Sequence, residues 1–165
     1  MTGNIVNLSD GHSDRVAIIA AHTAVIYDKR LQKQIFMQVR ASGIDLCHGS
    51  HSFVYSEITP YNRATCLSQG HCNSITCMLV SDDRSLILTS DVGNGSLLVL
   101  WNSKTGHPIQ SIAQPHKFGT VAMDISPDDE WLVTVGAADP ESGEQEVRLR
   151  WPWIAWLAHC MHTHE

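Results

Sequence analysis

Cysteine and histidine side chains, which bind transition metals, are concentrated in two parts of the sequence. One set lies in the middle of the chain and the other near residue 160: Cys47, His48, His51, Cys66, His71, Cys72, Cys77, and His159, Cys160, His162, His164. Zinc sites of known type need two pairs of ligands at short, regular spacing. The spacings of Cys66, Cys72 and Cys77 provide no such pair, so no metal ligand is assigned. A second hypothesis, from a different functional class, is a zinc-binding regulatory protein that uses the central segment.

Residues for nucleophilic or acid–base catalysis are not arranged in a recognisable pattern. The sequence has no Gly-x-Ser-x-Gly motif, and Gly93-Asn94-Gly95 fits a hairpin turn better than a phosphate-binding loop. Carboxylates are plentiful at 82–83, 128–130 and 141–146, but each group falls in a predicted turn, where solvated charge is the ordinary explanation. We therefore expect no enzymatic activity and no cofactor.

Composition favours a folded domain that does not bind polyanions. The chain has 165 residues, is 43% hydrophobic and carries a net charge of -6, and its acidic groups are concentrated in residues 70–165. This charge argues against nucleic acid and anionic lipid as partners. The first residues lack an apolar signal segment, and the five cysteines fit reduced thiols, so a cytoplasmic location is expected. Cys77 lies in a predicted strand and is expected to pack as a small apolar side chain.

Three short strands are predicted between Gly70 and Asn102, the stretch around which the chain is organised. Runs rich in Val, Ile, Leu and Thr are separated by Ser81–Arg84 and Asp91–Gly95, as in antiparallel hairpins. Before this stretch, the apolar run at 16–21 does not alternate with polar residues, which predicts a strand buried on both faces.

Similar strand groups flank this stretch. The predicted units are a lead-in at 1–14, three strands at 15–38, an insertion or loop at 39–69, a complete four-stranded unit at 70–113, a third unit at 114–151 and an atypical tail at 152–165. Residues 39–69 are interpreted either as a long surface loop or as a segment foreign to the mature protein. The tail fits either a short amphipathic helix or a poorly ordered terminus.

The repeated features resemble those of WD-repeat proteins. Gly70-His71 and Trp101-Asn102 bracket one repeat, while Tyr27-Asp28 and Trp151-Pro152 stand where the family places Trp-Asp. The resemblance implies an all-β fold, a partial WD-repeat β-propeller of about two and a half blades of four-stranded antiparallel sheet. It also implies a structural hydrogen-bond network within each blade. The residues expected to form it are His71, Ser90, Asp91 and Trp101, with His116 and Trp151 in the third blade.

Because closed propellers typically have about four to eight blades, further blades from a partner or from self-association are expected. The segments 22–28, 70–77 and 98–106 resemble cilia- and flagella-associated WD-repeat proteins of the radial-spoke base, in the calmodulin- and spoke-associated complex. This likeness implies a non-catalytic scaffold in the ciliary or flagellar axoneme, part of the cytoskeleton, which binds other proteins through propeller surfaces. The alternative is direct microtubule binding, as in echinoderm microtubule-associated-protein-like propellers.

Overall fold

The computed structural model describes residues 5–37 and 70–150, with side chains through residue 148, and in these ranges every regular element is a β-strand. The protein is all-β, as predicted. The strands are β1 Ile5–Asn7, β2 Arg15–Ala20, β3 Thr23–Asp28, β4 Lys33–Met37, β5 Ile75–Val80, β6 Leu86–Asp91, β7 Leu97–Asn102, β8 Pro108–Ala113, β9 Thr120–Ile125, β10 Leu132–Gly136 and β11 Val147–Arg150.

The strands form three antiparallel sheets in chain order. The first sheet is β1-β2-β3-β4, the central sheet is β5-β6-β7-β8, and the third sheet is β9-β10-β11 within the described residues. Only three strands were predicted for the first unit, and this was wrong. Ile5–Asn7, assigned to the lead-in, pairs with β2 as a fourth strand. Its three residues are too short a run for apolar periodicity to be read.

The central sheet is buried on both faces, whereas the first sheet, which the continuous apolar run at 16–21 predicted to be buried on both faces, is covered on one face only among the described residues. Ile87, Val99 and Trp101 belong to one core, which also contains Ala17, Ala24, Ile26 and Met37 of the first sheet. The intervening residues Leu88, Leu98 and Leu100 belong to a second core with Met123 and Leu132 of the third sheet. The central sheet is thus packed between its two neighbours, an arrangement consistent with part of a propeller-like fold.

Polar contacts join neighbouring sheets at their ends. The first and central sheets are linked by Arg15, whose Nη1 donates to the Ser103 carbonyl at 3.1 Å, and by the Ile75 amide, which donates to the Ala21 carbonyl at 2.8 Å. Between the central and third sheets, Gly119 has φ +89° and pairs with Val92. A Cβ on Gly119 would lie 2.4 Å from the Val92 Cα, so only glycine fits this approach.

Cys77 is fully buried in the second core, as expected for a small apolar side chain. Burial raises the pKa of its thiol because the thiolate would lose its hydration. Among the described residues, no helix is long and apolar enough to cross a membrane. The predicted insertion at 39–69 and tail at 152–165 lie outside the described residues, and the proposed unit boundaries there stay predictions.

Candidate functional site: two histidine networks and an open sheet face

His71 lies just before β5, fully enclosed between the first and central sheets. Its Nδ1 is 2.9 Å from Asp91 Oδ2, and its Nε2 is 2.6 Å from Thr89 Oγ1. Asp91 is itself fully buried, and its other carboxylate oxygen accepts the Leu97 amide at 2.6 Å. Both oxygens of this buried charge are therefore hydrogen-bonded, as burial of a carboxylate requires.

Thr89 joins the histidine to the tryptophan. Trp101 Nε1 donates to Thr89 Oγ1 at 2.7 Å, so this hydroxyl contacts both rings. The indole donates to the threonine oxygen, and the two ring nitrogens of His71 lie within hydrogen-bond distance of Thr89 and Asp91. The network leaves none of these buried groups unpaired.

Ser90 was predicted to belong to this network, but its hydroxyl has a different partner. Its Oγ donates to the Leu97 carbonyl at 3.1 Å, whereas Thr89 provides the hydroxyl that His71 and Trp101 contact. Adjacent residues of a strand point to opposite faces, so Ser90 and Asp91 cannot face the same ring. Thr89, two positions before Asp91, does face the ring. The two-residue alternation of a strand predicts Thr89 in place of Ser90.

His116 occupies the corresponding position before β9. Its Nε2 is 2.9 Å from Thr134 Oγ1 and its Nδ1 is 3.1 Å from Glu146 Oε2. Gly136 stands two residues after Thr134, where the central sheet has Asp91, and a Cβ there would lie 3.0 Å from the His116 ring. The acid instead comes from Glu146, just before β11, which was not predicted because no local pattern marks it.

Glu146 is half-exposed and also accepts a hydrogen bond from Arg148 Nε at 2.6 Å. Arg148 and then His116 hold the pKa of this carboxyl below its ordinary value of 4.5, because both contacts favour the charged form. The third sheet thus has a histidine–acid pair that is open to solvent on the acid side.

Trp151, predicted as the counterpart of Trp101, lies outside the described residues. In the central sheet Trp101 pairs with Ile87, two residues before Thr89. In the third sheet the residue two before Thr134 is Leu132, which pairs with Arg150. In the backbone register, Arg150 therefore occupies the place in the third sheet that Trp101 has in the central sheet.

The first sheet has an apolar row in place of a histidine network. Ile5 pairs with Ile18, Ile18 with Val25, and Val25 with Phe36, so four apolar side chains cross the whole sheet. Ile5 is 63% and Phe36 56% exposed. We call this row the open face. The equivalent row of the central sheet includes Met78, Thr89 and Val99, all buried beneath the first sheet.

Both histidines use their two ring nitrogens in hydrogen bonds inside the protein, which suits them to holding strands together. Among the described residues, no group of three or more His, Cys, Asp or Glu side chains is placed to hold a metal ion. Of the residues considered for zinc, His71, Cys72 and Cys77 are described, and the others lie outside the described ranges.

These features define the class of fold: an all-β chain of stacked antiparallel sheets that resembles part of a propeller. No protein-family model matches the chain. Among solved structures, it is similar to the Kuenenia stuttgartiensis hydrazine synthase, with a TM-score of 0.56 and 13% identity over 87% of this chain and 32% of that one. At this identity the likeness concerns the fold alone.

Curated relatives give a more specific comparison. The chain is 44% identical over 153 residues to cilia- and flagella-associated protein 251 of Chlamydomonas reinhardtii, covering 93% of this chain and 15% of the relative. It is 30% identical to the protein of the same name from Tetrahymena thermophila, covering 100% of this chain and 14% of that one. The chain therefore spans about one seventh of the length of these relatives.

Proposed function

We propose that this chain is part of a non-catalytic scaffold of cilia or flagella that binds other proteins through its sheet surfaces, as a WD-repeat propeller segment. The open face is the observation that carries the binding part of the proposal. A row of four apolar side chains across a whole sheet is a surface suited to contact another protein layer. The ciliary part comes from the names of the similar proteins.

The packing inside the molecule supports a further sheet as the partner of the open face. In the central sheet the same row is covered by the first sheet, with Met78 at 2% and Val99 at 0% exposure. The open face has the same strand order and register but no sheet over it among the described residues. We propose that a sheet from the rest of a longer protein, or from a partner, covers it in the cell, with the axoneme as the place of assembly.

Localisation in ciliated cells tests this proposal. We expect the tagged 165-residue chain to be retained with the axoneme after detergent extraction, and Phe36→Ser to be lost from it because the open face would lose its largest exposed ring. Val121→Ser changes an exposed apolar residue of the third sheet and serves as the matched control. A wild-type chain that stays diffuse, or equal retention of both variants, would contradict the proposal.

A further inference from the structure

A cleft opens where the first sheet meets the central sheet, at the end that carries the β1–β2, β3–β4 and β7–β8 turns. Its volume is about 310 Å³. The first sheet and its turns provide most of the lining, and Lys104 reaches it from the central sheet. The Arg15–Ser103 hydrogen bond closes the cleft at the junction of the two sheets.

Three cations line this cleft on a chain that is acidic as a whole. Arg15 is nine-tenths buried, with Nε donating to Ser13 Oγ at 3.1 Å and Nη1 to the Ser103 carbonyl. Its Nη2 has only Asp10 as an ionic partner in the described part of the chain, at 3.8 Å. Lys33 and Lys104 have exposed side chains, and no carboxylate of residues 5–37 or 70–148 lies within 4.0 Å of either ammonium group.

The two carboxylates of the cleft are already engaged with the backbone. Asp10 accepts the amides of His12 and Ser13 and the Ser13 hydroxyl, at 2.7 to 2.9 Å. These bonds, that of His12 above all, lower the pKa of Asp10 to about 2. Asp28 accepts the Leu31 amide at 2.9 Å. The carboxylates therefore fix the turns, and Arg15 is held by Ser13, Ser103 and Asp10, whereas the exposed ammonium groups of Lys33 and Lys104 remain available to an anion.

The rest of the lining and the neighbouring charges indicate which anion fits. Leu31, 72% exposed, and Ile35 add apolar surface beside the cations. At the same end of the next junction, the Asp82 amide donates to Asp129, and Asp128 adds negative charge. Asp83 lies between the two junctions: hydrogen bonds from Ser81 and Ser85 chiefly lower its pKa, and the charge of Lys104 adds to this. A long polyanion crossing this end would be repelled there. A short acidic segment with an apolar side chain fits the first junction alone.

We propose that this cleft binds a short acidic peptide segment of a partner protein, with Lys33 and Lys104 facing its carboxylates and Leu31 contacting an apolar side chain. This inference rests on the proposed scaffold function and gives the chemistry of one partner. The site is separate from the open face, so the two surfaces can be occupied together.

Fluorescence anisotropy with the full chain tests the inference. The probe is a fluorescein-labelled synthetic peptide in which glutamates flank one leucine, and its lysine-flanked counterpart is the control peptide. We expect the acidic probe to bind, and Lys33→Glu/Lys104→Glu to weaken binding by at least about tenfold. Lys29→Glu/Lys117→Glu makes the same charge change at exposed lysines outside the cleft lining, and we expect a change below about twofold.

Three outcomes would overturn the inference: no binding of the acidic probe, equal weakening by both double variants, or displacement of the probe by inorganic phosphate at the same concentration as by unlabelled peptide. Circular dichroism of both variants separates a lost contact from a lost fold. Binding in solution does not depend on cilia, so this result and the axonemal localisation test can fail independently.

Discussion

His71 and His116 enter their sheets at equivalent positions, and each ring contacts a threonine through Nε2 and a carboxylate through Nδ1. The acids differ in burial. Asp91 is completely buried on the same strand as Thr89, whereas Glu146 reaches His116 from the loop just before β11 and is 49% exposed. The central network also includes Trp101, and the register gives its position in the third sheet to Arg150.

This difference follows from where each acid lies, because Asp91 is the last residue of β6, buried from Ile87 onward, whereas Glu146 precedes β11 and is half-exposed. A buried carboxylate is tolerated only when its oxygens are hydrogen-bonded, and each oxygen of Asp91 has one partner, His71 for Oδ2 and the Leu97 amide for Oδ1. Glu146 is half-exposed to solvent, so Arg148 and His116 can share it without complete burial. The same local motif therefore serves as a closed core element in one sheet and as a solvent-exposed link in the next.

The largest effect is expected from removing the indole that only the central network has. Trp101→Ala deletes a fully buried ring and leaves Thr89 without its donor, which should lower the free energy of unfolding by about 3–5 kcal/mol. Urea denaturation followed by circular dichroism measures this. Trp131→Ala, at a ring that is 39% exposed, is the control. An equal decrease in the free energy of unfolding in the two variants would contradict the assigned role of Trp101 in the buried network.

The two threonines provide the next comparison. Thr89→Val removes the acceptor of Trp101 and the partner of His71, at a cost of about 2–4 kcal/mol, whereas Thr134→Val removes one partner of His116, at about 1–2 kcal/mol. Ser90→Ala, outside the network, should cost about 1 kcal/mol for its bond to Leu97. Urea midpoints of the three variants give the order. A larger loss for Ser90→Ala than for Thr89→Val would reverse our assignment of the hydroxyl.

Neutralising the acids compares the two networks directly. Asp91→Asn keeps the side-chain shape but replaces a charge-assisted contact with His71, so we expect a loss of about 1.5–3 kcal/mol. Glu146→Gln should have a clearly smaller effect, because that carboxylate is half-exposed to solvent. Thermal unfolding at pH 7 measures both variants. Similar shifts in melting temperature would mean that burial of the acid does not distinguish the sheets.

The smallest effect is the pH dependence that Glu146 contributes in the third sheet. The pKa of Glu146 is lower in the folded protein than its ordinary value of 4.5, so its stabilising contribution is present above that value. It is lost as the pH falls through the lower, folded pKa. The difference in melting temperature between wild type and Glu146→Gln should therefore shrink below about pH 4.5. Glu144→Gln in the same turn is the control, and a difference that grows with acid would contradict the prediction.

The strands of the central sheet could be predicted because each is a continuous apolar run bounded by turn residues, so packing and local propensity agree. His71, Asp91 and Trp101 were named from a resemblance, and the structure brings them together through Thr89. The prediction that Ser90 belongs to the network was wrong because residue type alone does not show which face of the strand a side chain occupies.

Other features depend on contacts distant in the sequence. Glu146 contacts His116 from 30 residues further along the chain. The only local sign of this is that Gly136 has no carboxylate at the position where the central sheet has Asp91. The basic cleft combines Arg15 and Lys33 with Lys104, which neighbouring sheets bring together. Hairpin patterns predict strands, but they do not predict which turns of two sheets become neighbours.

The contact of Gly119 with the Val92 backbone has a consequence for sequence change in the core. The separation of the central and third sheets at this point is fixed by peptide groups, at a distance that admits no methyl group. Substituting apolar residues such as Leu88 or Met123 would change how well the core is packed, but the distance between the two sheets at this point would stay the same. Core residues at this junction are therefore limited to sizes that fit the distance set by the Gly119 contact.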